Sequence, residues 1–171
     1  MPHLNTQNKK AQAWTADFII MMLLLFLIVF LFIRVWDFNA ITWNNRIRYE
    51  DMWLLTSRAG DALVSSSGLP PSWENLPAGE EESIQAIGLV ASKNTIDRKK
   101  LEHFMNLSYA LAKNRLGLSN YDMFLTIYNL ETNTSVASYG LNAPQNTTRV
   151  VSSRLVTYDG DFAMLELEVY E

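Results

Sequence analysis

Apolar and polar positions divide the chain into regimes of different period. Residues 18–33 are Phe, Ile, Met, Leu and Val without interruption, and no charge falls between Asp17 and Arg34. Bounded by Trp14 and Trp36, the run of residues 14–36 is long enough to cross the roughly 30 Å hydrocarbon layer of a bilayer, with Arg34 snorkelling to its edge. Over residues 37–67 apolar side chains recur at Phe38, Ile41, Met52, Leu55, Ala59 and Ala62, spaced largely by threes and fours, with no proline and only Gly60 as glycine. That period predicts a helix continuing out of the membrane, and residues 14–64 would then rise on the order of 75 Å. A kink or break near Asn44 and Asn45 is the alternative.

Residues 65–83, SSSGLPPSWENLPAGEEES, read as loop. Pro70 and Pro71 stop any helix, and Gly68 suits a left-handed position after one. A short apolar piece at 84–90 precedes a predicted helix over residues 97–116. Leu101, Phe104, Met105, Ser108, Leu111 and Ala112 form its apolar face, with Asp97 as N-cap and Gly117 just past its end. The last third changes to a period of two, with strands predicted at 121–130, 135–139, 149–158 and 161–170. Asp159-Gly160 joins the last two as a type I′ hairpin, which needs positive φ twice. Ala163, Leu165, Leu167 and Val169 alternate with Met164, Glu166, Glu168 and Tyr170, so one sheet face is dry and the other largely wet.

The fold expected is α+β: a long hydrophobic N-terminal helix, then one amphipathic helix packed on an antiparallel sheet of about four strands. The organisation reads as a basic leader (1–13), a transmembrane helix (14–36), its continuation (37–67) and an extracytoplasmic α+β domain (68–171). Lys9 and Lys10 place the leader in the cytoplasm. No small-x-small cleavage site follows the apolar run, which argues against an ordinary secretory signal. Arg34, Arg46, Arg48 and Arg58 beyond the run leave the charge balance across the anchor even.

Composition narrows the function classes. A net charge of −4 argues against a nucleic-acid platform, which would be basic. The chain has no cysteine, which removes disulfides, thiol catalysis and Cys-ligated zinc. Its two histidines are His3, in the leader, and His103, on a helix with no second ligand at i+4. Gly117, Gly140 and Gly160 answer to turns rather than to a phosphate loop. Serines 65–67 and 152–153 have no histidine partner in a recognisable pattern. Asp159 and Asp161 are turn residues rather than calcium ligands. The basic cluster Arg98-Lys99-Lys100 reads as solvated or as facing an anionic surface. Asn106, Asn133 and Asn146 begin N-x-Ser/Thr triplets, permissive for glycosylation outside the cell. No cofactor, metal or small-molecule substrate is implied, and a membrane-tethered enzyme ranks below a structural subunit or an anchored binding domain.

The leader KKAQAW with Asp17 at the start of a long apolar helix resembles the N-terminus of archaeal type IV pilin-like proteins with a class III signal peptide. Beyond it, GLPPSWE at 68–74, IGL at 87–89, and IDRKKLEHFMNLSYALAKNRLGLSNYDMFLTI at 96–127 are similar to uncharacterised archaeal pilin-like proteins. In those, a G-x-P-x-x-W loop, a GL turn, a K-L helix and a Y-D-F-type strand follow in this order. Arg154, Val156, Tyr158, Asp159 and Gly160 resemble their closing hairpin. The resemblance implies cleavage by a prepilin-peptidase-like enzyme within Lys9, Lys10, Ala11, Gln12 and Ala13, and packing of the apolar helix against other pilin-like subunits. It also implies an assembly role for Asp17. Cutting after Ala11 leaves Asp17 sixth in the mature chain, and cutting after Gln12 leaves it fifth. The alternative is a permanently anchored, single-pass extracytoplasmic binding or assembly-factor domain.

Overall fold

The structure, a computed structural model, describes the backbone of residues 6–77 and 79–171, and their side chains except at 6–16, 40–42, 44 and 45. The chain forms two compact units, Met1–Arg48 and Tyr49–Glu171. One helix, α1 (Thr6–Ser65), supplies the described part of the first unit and enters the second. It remains helical through Asn44 and Asn45.

In the second unit, α1 buries Met52, Thr56, Ala59 and Leu63, spaced four, three and four residues apart and so aligned on one face. Thr56 lies within this apolar stripe because its hydroxyl donates to the Met52 carbonyl at 2.6 Å, one turn back. Gly60 marks a close approach of helix to sheet, since a Cβ there would lie 2.6 Å from Ser152 Oγ.

After α1 come two 3-10 turns (Trp73–Asn75 and Glu81–Ser83) and two short strands, β1 (Val90–Ser92) and β2 (Thr95–Ile96). The helix expected over 97–116 is two helices, α2 (Arg98–Asn106) and α3 (Tyr109–Arg115). Asp97 caps α2, accepting from the backbone N–H groups of Lys99 and Lys100. Leu107 turns extended and is buried, while Ser108 leaves the predicted apolar face to cap α3. At the end of α3, Gly117 N–H donates to Asn114 and Leu118 N–H to Lys113, a Schellman closure with Gly117 at φ +74°.

The four strands expected in the last third are present as β3 (Asp122–Asn129), β4 (Thr134–Gly140), β5 (Arg149–Tyr158) and β6 (Asp161–Tyr170). They are mutually antiparallel where they pair, but the sheet has six strands in the order β1-β2-β5-β6-β3-β4, and β2 joins β5 in parallel at Thr95 and Thr157. A simple four-stranded antiparallel sheet is therefore corrected to a mixed six-stranded one. The β5–β6 hairpin turns on Asp159 (φ +52°) and Gly160 (φ +94°), the two positive φ values that a type I′ turn requires.

The dry face of β6 (Ala163, Leu165, Leu167, Val169) joins Met123, Leu125 and Ile127 of β3 and Val150 and Val156 of β5. It packs with Leu63 of α1, Phe104 of α2 and Ala112 of α3 in one core. Each large apolar side chain buried there contributes roughly 1.5–3 kcal/mol, which is how a chain without disulfides holds this unit together. The opposite face is less polar than the alternation predicts, because Val151, Leu155 and Phe162 stand exposed on it.

Candidate functional site

The one helix among the described residues that is long and apolar enough to cross a membrane is Asp17–Asn39, 23 residues with a mean hydropathy of 3.1 in its most apolar window. All of residues 17–39 are exposed within the chain. Since residues 18–33 are apolar on every side, this stretch of α1 has no polar face to turn to water, the signature of a helix meant for lipid or for other helices. Asp17 stands exposed at its start. Near its other end the Arg34 guanidinium lies 5.4 Å from the Phe30 ring centroid, and Trp36 stacks obliquely on Phe32. A helix of this length, followed by a larger domain, fits a single-pass membrane topology.

Lys9, Lys10, Ala11, Gln12 and Ala13 lie in α1, and their side chains fall outside the described residues, as does His3 altogether. Asn106 ends α2 and is exposed, its amide donating to the Glu102 carbonyl at 2.8 Å. Asn133 (φ +52°) and Asn146 (φ +69°) are exposed at the tips of the β3–β4 and β4–β5 connections. Asn106, Asn133 and Asn146 lie on three separate stretches of the second unit.

The residues that do converge are those of the GLPPSWE, IGL and Lys-Leu motifs. Trp73 is fully buried and its indole N–H donates to the Gly88 carbonyl at 3.1 Å. Gly68, at φ +86°, sits three residues past the end of α1; a Cβ on it would fall 2.5 Å from the Trp73 ring. A Cβ on Gly88 would run into the Ser66 carbonyl. Lys100, expected on a solvated cluster, is instead 4% exposed. Its ammonium donates to the carbonyls of Ser67 (2.6 Å), Pro71 (2.8 Å) and Val90 (3.4 Å) and lies 4.0 Å from Glu74 Oε2. Arg98 pairs with Glu102 at 2.9 Å, which raises its pKa, and approaches Asp159 at 3.9 Å. His103, which has no second ligand at i+4, is half-buried with its ring edge-on to Trp73 at 5.4 Å. The cluster is a clamp: a buried cation gathers the carbonyls of two loop residues, Ser67 and Pro71, and that of Val90 at the start of β1.

A second polar group ties α3 to β3. Lys113 Nζ meets Asp122 Oδ1 at 2.8 Å, and the Tyr109 hydroxyl donates to the same carboxylate at 3.0 Å while accepting from Met123 N–H at 2.9 Å. The hydrogen bond from Lys113 holds the Asp122 carboxyl below its usual range. Burial, joined by the adjacent carboxylate, pushes the Tyr109 phenol up to about 12.

No group of three or more His, Cys, Asp or Glu side chains able to hold a metal occurs among the described residues. No protein-family model, curated protein or solved structure matches the chain.

Proposed function

We propose that this chain is a membrane-anchored, non-catalytic type IV pilin-like subunit, with its N-terminus in the cytoplasm and its α+β domain outside. The observation that carries the reading is the helix Asp17–Asn39, apolar all round over residues 18–33 and exposed along its whole length. Lipid satisfies that surface first. On assembly the same Leu, Ile and Phe side chains pack against neighbouring subunits with no loss of burial.

Asp17 is costly in hydrocarbon unless paired or held at the interface, and the reading gives it an assembly role at the helix start. A prepilin-peptidase-like enzyme cuts within residues 9–13, and the exposed Asn106, Asn133 and Asn146 are open to glycosylation. The partners are membrane lipid and other pilin-like subunits, in a surface filament or a secretion-type assembly.

Mass spectrometry of the mature N-terminus tests this reading. The expected mature chain begins after Ala11 or Gln12, and replacing Lys10, Ala11 and Gln12 together leaves a larger, unprocessed band. A mature chain that retains residues 1–11, with wild type and variant migrating together, would establish the permanently anchored binding or assembly-factor domain instead.

A further inference from the structure

Among the described strands of the second unit, the three-residue β1 and the longer β4 and β5 each have a side without a full strand partner. β4 ends the sheet, and β5, although third in the order, meets β2 only at Thr157. The β5–β6 hairpin has a two-residue loop with Tyr158 opposite Asp161. In such a hairpin the even-numbered residues of β5 bond to β6, and the N–H and C=O of Val151, Ser153 and Leu155 point away from it. The same alternation carried through β6 and β3 directs the free backbone groups of β4 outward around Ser138; Leu141 N–H bonding back to Met123 fixes that parity.

Both edges are only partly guarded, β4 by a bulge near one end and β5 by the inward-pointing Arg154. The outward-directed residues of β4 (Val136, Ser138, Gly140) and of β5 (Val151, Ser153, Leu155) include no lysine, no proline and no charge. Arg154 projects from the inner face, where it pairs with Asp61 at 2.8 Å, and its Nη1 donates to the Ser153 carbonyl at 3.0 Å, so an added strand bonds to that carbonyl through its second lone pair. A bulge between Ile127 and Tyr128 limits the regular part of β4, so any added ladder is short.

We infer that copies of this chain join edge to edge, β4 of one adding to the open side of β5 in the next. The sheet itself sets the direction. Each step from β5 through β6 and β3 to β4 is antiparallel, so β4 runs opposite to β5. Copies that follow one another by translation therefore present β4 to the next β5 in antiparallel pairing. Residue chemistry sets the register. With Ser138 opposite Ser153, the exposed Val136 (37%) faces the exposed Leu155 (56%), and Gly140 makes room for Val151. Sliding β4 two residues toward Thr157 is blocked, because Thr157 N–H is already taken by the Asn94 carbonyl at 2.7 Å. Beside β5 runs an open groove of about 160 Å³, lined in part by Trp53 and Ser57 of α1.

The inference rests on the assembling reading above. So short a ladder acts as a lateral contact because anchored helices already hold the copies at high effective concentration.

The chain has no cysteine of its own, so introduced thiols report only themselves. Residues opposite one another in a hydrogen-bonded antiparallel pair have Cα atoms about 5.5 Å apart, within disulfide reach. Full-length Ser138→Cys and Ser153→Cys chains are oxidised in membranes, singly, co-expressed and as the double variant. The double variant should shift from monomer to a ladder of multimers and the co-expressed pair to dimers, with each single variant staying monomeric. Dimers from either single variant would show like edges meeting, and monomers throughout would show none; both overturn the inference. Single cysteines at residues 28, 29, 30 and 31, which cover every side of the helix, separate the two levels. Cross-links there without any at 138 and 153 reject the edge pairing and leave the assembling helix standing. Their absence at all of these positions rejects both.

Discussion

Lys100 shows what a single residue does in this fold and why its role was hidden in the sequence. As one of three consecutive basic residues it reads as surface charge. Its partners, the carbonyls of Ser67, Pro71 and Val90, lie 33, 29 and 10 residues away, and no local pattern links them. Lys100→Met strands those carbonyls and leaves Glu74 without its cation, a loss of about 3–5 kcal/mol. A Lys100→Met/Glu74→Gln double variant should lose less than the two single losses summed, read as unfolding midpoints of the full chain in detergent. Asp122 supplies the pH-dependent counterpart. Its folded pKa lies below the ordinary value, so its stabilisation is complete above the unfolded value of about 3.9 and fades as pH falls through the folded one. The midpoint gap between wild type and Asp122→Asn should be widest near neutral pH and close below about pH 4. It stays small throughout, because this side chain is 44% exposed and its pair with Lys113 is screened. By contrast Asp97, Gly117 and Asp159-Gly160 were legible, since caps and tight turns are settled within a few residues.

Among the elements, legibility followed length. Strands of seven to ten residues announce themselves by alternation, and β3 through β6 lie within a residue or two of where that pattern puts them. β1 has three residues and β2 two, too few to show a period, so the mixed pairing and the six-strand count were invisible. The division of α2 from α3 escaped because Ser108 fits a helical face by spacing, whereas its side chain competes for backbone and caps a new helix instead. The junction of α1 with β5 gives an element-scale prediction. Gly60→Ala should cost about 1–3 kcal/mol by driving its methyl into Ser152. Ser152 Oγ is buried without a hydrogen-bond partner among the described residues, so Ser152→Ala alone should be close to neutral. Gly60→Ala on that background should recover most of the loss, because alanine favours the helix over glycine by roughly 0.5–1 kcal/mol. Thermal unfolding of the three variants checks that recovery.

At the scale of the whole molecule, an apolar helix and a compact α+β unit share one chain. The apolar core holds the second unit together, tied further by the clamp around Lys100 and the Asp122 group, while the apolar surface of Asp17–Asn39 and the open sides of β4 and β5 stay exposed. The sequence displays that apolar surface plainly, because sixteen consecutive apolar residues need no tertiary information to be read. The edges depend on which strands become neighbours, which appears only in the folded sheet. The measurement that bears most directly on the central claim is a single-cysteine cross-linking scan of residues 18–33 in the membranes of cells making the full chain. An assembling helix should give disulfide-linked dimers that rise and fall with a period of three to four residues. A flat profile with no dimers at any position would show a helix surrounded only by lipid, and would contradict the account.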